Sequence, residues 1–397
     1  MAFVIGLAVA TPSVPAPETI PPGAVEHAVE EILAGGDRSL DLVLLLDPRL
    51  GANERRRRAA VRELEQILPL LSGESAVARA RRDACDRELG ARGAGSDLDS
   101  TIRANVHLHC LLAPFFSRHS FDCNQRATLH LTAARRLGIA LPGYARSLDH
   151  AGLIFEDHGL VLDPYDGKLR SLLAFARGRG LSPSRGDGYF LRTPRRHYLV
   201  VAGPGGSVLR PLAPVERPDL VAPLEPLASL LLDAGAIALD PTTARAYAEL
   251  ALALDPTSAD AHDTLGNLVA DFDPARAAAE YAKALELDPH AARVHYNLAV
   301  LLQTRGEAGS AESEYRAALT LQPSLLAAIE NLGALLATEP NQLDEARAFD
   351  ARYPAWRARS AAARNVRMAG SPAAAKSRSN RGSSRRGASI GKGSNAM

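Results

Sequence analysis

The sequence predicts an α+β domain, helices followed by an antiparallel sheet, with an all-α solenoid of helical repeats behind it. Two observations carry this. Between Tyr144 and Arg210, short apolar runs alternate with turn residues, after a helix-rich stretch. Farther on, Ala-Leu-Ala-Leu-Asp-Pro, Ala-Leu-Glu-Leu-Asp-Pro and Ala-Leu-Thr-Leu-Gln-Pro end in Pro256, Pro289 and Pro323, steps of 33 and 34 residues.

Composition bounds the rest. A chain of 397 residues suits two or three domains. Lys and Arg total 46 against 45 Asp and Glu, so overall charge argues neither for nor against nucleic acid. Hydrophobic content of 46% is ample for a core, and few aromatics with abundant Ala favour closely packed helices. Three cysteines, Cys85, Cys110 and Cys123, make no even-numbered framework, which points to a reducing, cytoplasmic setting.

Residues 1–23 are apolar and then Pro-rich, without the basic start and long apolar core of a secretory signal, and are expected to be a flexible arm. No apolar run approaches the roughly 18 residues of a spanning helix. Residues 24–96 form a helical N-terminal part. Val25, Ala28, Val29, Ile32 and Leu33 make one helix face, and Leu40 to Leu46 and Val61 to Leu71 repeat the period. The run Arg55 to Arg58 is flanked by Glu54, Glu63 and Glu65 and reads as a solvated helix face. Ser72 to Ser96 reads as loop with some helix.

Residues 97–212 form the α+β core. Leu98 to Phe116 is an apolar helix. His107, His109 and Cys110 lie in it, but one helical segment does not converge four ligands, and no metal or cofactor is expected. His119 reads as a loop residue and His130 as part of the core. Leu129, Ala133, Ala134 and Leu137 mark a helix that begins at Cys123 and is closed by Gly138. The runs His150 to Phe155 and Gly159 to Asp163 flank a turn at Glu156 to Gly159 and read as a β-hairpin. Leu169 to Ala176 reads as a short helix. Strands at 189–193, 197–201 and 208–210 extend the sheet.

This layout brings three residue types to places where they can meet: Cys123 at a helix head, His150 at a strand start, Asp163 at the next strand's end. A helix N-terminus and an imidazolium stabilise a thiolate. A carboxylate orients the imidazole and stabilises its charged form. Backbone N–H groups at the helix start can donate to a tetrahedral oxyanion. The combination suits acyl transfer through a thioester.

Residues 213–226 are Pro-rich and read as a linker tethering the core to the array of residues 227–360. The array has three to four units and terminal repeats that depart from the pattern. Leu265-Gly266, Leu298-Ala299 and Leu332-Gly333 take the small-residue position of the first helix in each pair, and Tyr281 and Tyr315 the aromatic position of the second. This spacing is that of tetratricopeptide repeats, which bind proteins or peptides. Asn267, Asn297 and Asn331 recur at one place in each repeat and are candidate partner contacts. Residues 361–397 hold Arg and Lys but no acidic residue. They are expected to be a disordered basic tail, open to unspecific contact with nucleic acid or an anionic surface.

Cys123, Leu137-Gly138-Ile139, His150-Ala151 and Asp163-Pro164 together resemble the transglutaminase-like core, a branch of the papain-like thiol enzymes. The resemblance implies Cys123 as nucleophile, His150 as general base and acid, and Asp163 as orienter. The chain has Gly152 where that family often carries Trp, so one wall of the site is expected to be missing, and no upstream oxyanion donor is recognisable. Such a core followed by tetratricopeptide repeats resembles a bacterial family of the same two-part build. The implied function is a thiol acyl-transfer or amide-hydrolysing protein whose repeats recruit a partner; the alternative is a catalytically silent scaffold or regulator.

Overall fold

A computed structural model of the chain describes residues 20, 22–72, 76–91, 99–146, 150–176, 189–193, 197–203, 206–212, 224–238, 240–338, 348–349 and 351–353. The expected arm, nearly all of the expected linker and the basic tail lie outside the described residues.

Among the described residues seven helices come first: α1 (Pro22–Leu33), α2 (Ser39–Leu45), α3 (Glu54–Ile67), α4 (Pro69–Ser72), α5 (Ala76–Ala91), α6 (Ser100–His119) and α7 (Cys123–Arg136). Asn53 starts α3 by accepting the Arg56 N–H at 3.0 Å. Within the arginine run, Arg57 turns inward to Asp41 at 3.2 Å and to the Gly51 carbonyl at 3.0 Å, while Arg55, Arg56 and Arg58 are exposed. Where a loop with some helix was expected, α5 runs for 16 residues. Its apolar positions are mostly Ala, which gives a weak periodic signal but a good helix.

Among the described residues seven antiparallel strands make one sheet: β1 (Gly143–Arg146), β2 (Ala151–Phe155), β3 (Leu160–Leu162), β4 (Leu169–Ser171), β5 (Tyr189–Arg192), β6 (His197–Gly203) and β7 (Gly206–Pro211). Their order is β4-β3-β2-β1-β5-β6-β7. The expected hairpin is β2–β3, closed by a 3₁₀ turn at Glu156–His158 and by Gly159 at φ 62°. Every residue of β2 is buried because both faces are covered. Tyr144, Leu153, Phe155 and Leu162 meet Ala127 and Leu131 of α7. On the other face Ala145, Ile154 and Val161 meet Phe175 of α8 (Leu172–Ala176). The expected helix from Leu169 therefore starts only at Leu172, because Leu169–Ser171 pairs with β3.

The repeats comprise α9 (Glu225–Ile237), α10 (Pro241–Leu254), α11 (Ala259–Val269), α12 (Pro274–Leu287), α13 (Ala292–Thr304), α14 (Ala308–Leu321) and α15 (Leu326–Thr338). The positions that recur along the repeats have physical roles. A Cβ on Gly266 would lie 2.5 Å from the Tyr281 ring, so only glycine lets α11 and α12 approach this closely. Asp255 and Asp288 each follow a helix end and accept a turn N–H, from Thr257 and His290, both at 3.0 Å.

The array is not held by a tether alone. Leu227 and Leu231 of α9 and Tyr247 and Ala251 of α10 are buried in one apolar cluster with Val25, Leu42, Leu112, Phe116 and Leu129. The first repeat is thus part of the core's own interior. The Pro-rich spacing hid this, because a repeat helix and a core helix present the same kind of apolar face.

Candidate functional site

Cys123 is the first residue of α7, and both ends of that helix are fixed by its own sequence. Asp122 accepts the Gln125 N–H at 2.8 Å and the Gln125 side chain accepts the Asp122 N–H at 3.1 Å, a capping box. Gln125 Nε2 also donates to Asp47 on the loop after α2, at 3.2 Å. At the far end the Ile139 N–H reaches the Ala134 carbonyl at 2.9 Å and the Gly138 N–H reaches Arg135 at 3.0 Å, with Gly138 at φ 67°. This is a Schellman motif, and it explains Leu137-Gly138-Ile139 physically. The positive end of the helix dipole falls on the half-buried thiol of Cys123.

His150 precedes β2 and Asp163 follows β3. The register Leu153↔Leu162 sets the two beside each other, and His150 Nε2 lies 3.0 Å from Asp163 Oδ2. The imidazole also hydrogen-bonds the Cys123 side chain. All three sequence-predicted residues are therefore brought together. Burial alone pulls His150 down, but its bonds to Asp163 and Cys123 outweigh this and push it up to about 9. Burial pushes Asp163 up, yet His150, the Tyr165 N–H and the charge of Arg170 hold it below the usual carboxylate range.

Four further residues shape the site, and none carried a sequence signal. Arg170 on β4 donates to Asp163 Oδ2 at 2.8 Å and is clamped by Asp166 at 2.7 and 2.9 Å. Phe175 stacks on His150 with centroids 5.2 Å apart. A Cβ on Gly152 would meet Phe175 at 2.6 Å. The wall expected to be missing at Gly152 is filled from α8, and Gly152 is what makes room for it. Arg126, one turn on from Cys123, lies over the rings of Tyr165 and Phe116 at 4.6 and 5.4 Å. Its Nε donates to the Phe121 carbonyl at 2.7 Å and its Nη1 to the Tyr165 carbonyl at 3.0 Å, and its charge is felt at Cys123. Asn124, beside Cys123, accepts from Tyr144 and donates to Asp233 of α9.

The histidines of α6 point apart. His107 binds Asp86 at 2.9 Å, while buried His109 stacks on His130 and packs under Gly167, 2.6 Å from where a Cβ would stand. Gly167, at φ 69°, closes the turn that presents Asp163. His119 is not a loop residue: it ends α6 and faces Glu63 at 3.3 Å. Among the described residues no cluster of His, Cys, Asp and Glu is fit to hold a metal.

Cys85 and Cys110 form a disulfide between α5 and α6, with Cα atoms 6.1 Å apart. The odd cysteine count therefore hid a pair and a single free thiol, Cys123. The argument from cysteine usage to a reducing compartment fails with it, since disulfides persist in oxidising settings. Among the described residues no helix is long and apolar enough to cross a membrane.

The recurring asparagines bond within the array. Asn267 and Asn297 donate to Asp263 at 3.2 and 2.8 Å, Asn267 accepts from the Tyr281 hydroxyl at 2.9 Å, and Asn331 donates to the hydroxyls of Tyr315 and Tyr296 at 3.2 and 3.4 Å.

Taken together the chain is a two-part molecule, an α+β core carrying a Cys-His-Asp cluster and a tetratricopeptide-type array. No family model matches it, and no curated protein does. Among solved structures it is similar to MamA, at 23% identity over 36% of this chain and 82% of that one, TM-score 0.29. It is similar to PilF of Pseudomonas aeruginosa at 27% identity, covering 34% of this chain and 59% of that one, TM-score 0.28. YrrB, described as a TPR protein with an unusual peptide-binding site, is 14% identical over 78% of this chain and 98% of its own, TM-score 0.24. The repeat assignment rests on the chain's own helix pairs.

Proposed function

We propose that this is a thiol acyl-transfer or amide-hydrolysing protein of transglutaminase-like type, whose repeats recruit a protein or peptide partner. The observation that carries the reading is the chain of bonds from Asp163 through His150 to Cys123 at a helix N-terminus. Cys123 Sγ attacks the carbonyl carbon of an amide, and the carbonyl electron pair moves onto oxygen. N–H groups of the first turn of α7 and the Arg126 charge stabilise that oxyanion. The C–N bond then breaks, the leaving amine takes a proton from His150, and a thioester remains. Water or a second amine adds and gives its proton to His150, the C–S bond breaks, and the acyl group leaves as acid or new amide while the Cys123 thiolate is restored. On this reading Asn267, Asn297 and Asn331 shape the recruiting face, Asn267 and Asn297 through Asp263 and Asn331 through Tyr296 and Tyr315.

One observation favours a silent scaffold instead: Asp163 Oδ2 is shared with Arg170, which draws on the charge that would support an imidazolium. p-Nitrophenyl acetate separates the two readings. An acyl-transfer site gives a burst of nitrophenolate and an acetyl group on Cys123, lost in Cys123→Ser and slowed about a hundredfold or more in His150→Ala. An unmodified Cys123 in the intact protein would overturn the proposal.

A further inference from the structure

A cavity of roughly 410 Å³ lies between β1, β5 and β6 on one side and α9, α11, α13 and α14 on the other. That size is in the range of small-ligand pockets, and junctions between packed parts are where such pockets occur. Three arginines converge on it, Arg146 from β1, Arg192 from β5 and Arg293 from α13. Leu199, Leu232 and Leu325 give it an apolar side.

The hydrogen-bond accounting is unequal. Asp260 accepts from Arg146 Nη1 at 3.0 Å and from Arg192 Nη1 at 3.0 Å to each oxygen. Asp263 accepts from Arg293 Nε at 2.9 Å as well as from Asn267 and Asn297. Asp233, on the cavity wall, takes the amide of Asn124. The carboxylates are occupied, whereas Nε and Nη2 of Arg146 and Nη1 of Arg293 meet no acceptor among the described residues. Arg146 is half-buried and Arg293 more exposed; a half-buried guanidinium with donors to spare is completed by an anionic acceptor, and a planar carboxylate matches its fork.

We propose that this cavity binds a peptide segment through a carboxylate held by Arg146 and Arg293, with a neighbouring apolar side chain against Leu199, Leu232 and Leu325. The inference rests on the reading of the repeats as a recruiting surface and gives the recruited partner its chemistry. It also places the partner beside the thiol site. Arg146 pairs across the sheet with Ala151, the residue after His150. Asp233 is bonded to Asn124, the residue after Cys123.

The test uses the full chain with Cys123→Ala, so that binding is read without acyl chemistry. Pools of N-acetylated pentapeptides are offered in four forms: free acid or amide at the C-terminus, and Glu or Gln at one inner position. Retained peptides are identified by mass spectrometry and titrated by calorimetry. Retention of free acids alone identifies a chain terminus as the source of the carboxylate; retention of amidated Glu peptides identifies a side chain; either supports the proposal. Arg146→Gln is expected to weaken binding at least about tenfold. Ala236→Trp adds bulk on the exposed rim without touching an ion pair and is expected to do the same, which guards against a folding defect in the arginine variant. The proposal is overturned if neutral amides bind as tightly as acids, if no peptide is retained, or if both variants bind like the parent. None of these outcomes bears on acetylation of Cys123, so the two ideas fail separately.

Discussion

Asp163 in the core and Asp263 in the repeats are both buried carboxylates with three or more donors, yet their surroundings work in opposite senses. Asp163 faces His150 and Arg170 and is held below the usual carboxylate range against the push of burial. Asp263 faces Arg293, Asn297 and Asn267, and there burial prevails and its carboxyl is raised. The difference lies in the partners. One donor to Asp163 is an imidazole that itself bonds a thiol, so Asp163 orients and stabilises that imidazole beside the thiol. None of the donors to Asp263 is bonded to a thiol, so its charge fixes how α11 and α13 pack. On the proposed reading, a buried ion pair gains a chemical role when one member is also bonded to a thiol.

The comparison can be broken most sharply at Asp163. Asp163→Ala leaves the half-buried His150 without its carboxylate and Arg170 with Asp166 alone, and should cost about 4 kcal/mol in urea unfolding. A loss below about 1 kcal/mol would mean that the pair contributes little to the fold. Next comes pH. The folded pKa of His150, about 9, lies above its unfolded value of roughly 6.5. Its contribution is therefore complete below about pH 6.5 and is lost as pH rises through about 9, by as much as roughly 3 kcal/mol. Chemical denaturation across that window should show the slope in the parent and not in His150→Ala. Asp263→Ala comes third, at about 2 kcal/mol, because Arg293 can turn to solvent once its acceptor is gone. The smallest effect is expected at Asn331→Ala, about 1 kcal/mol, from two hydroxyl contacts. A cost equal to that of Asp163→Ala would dissolve the distinction between the two regions.

Features set by local spacing were legible in the sequence. The steps between Pro256, Pro289 and Pro323 gave the helix pairs, and Gly266 facing Tyr281 shows why the register holds. Cys123, His150 and Asp163 were legible because a helix cap and a hairpin register place them, and both are short-range. Features set by docking were not. Phe175 reaches His150 from a separate helix, and no spacing links it to Gly152. Cys85 and Cys110 are 25 residues apart on two helices, one of them written almost wholly in Ala and charged residues. The apolar face of α9 reads as any repeat helix, and only its contact with α7 shows that it completes the core.

The central claim is that Asp163, His150 and Cys123 act as one unit. Alkylation of Cys123 by iodoacetamide, followed by peptide mapping across pH, tests it most directly. Cys85 and Cys110 are bridged, so the label reports one thiol. The parent should label at least about tenfold faster than His150→Ala at neutral pH, because the variant's thiol lacks the imidazole bonded to it. Superimposable profiles for the parent and His150→Ala would contradict the account.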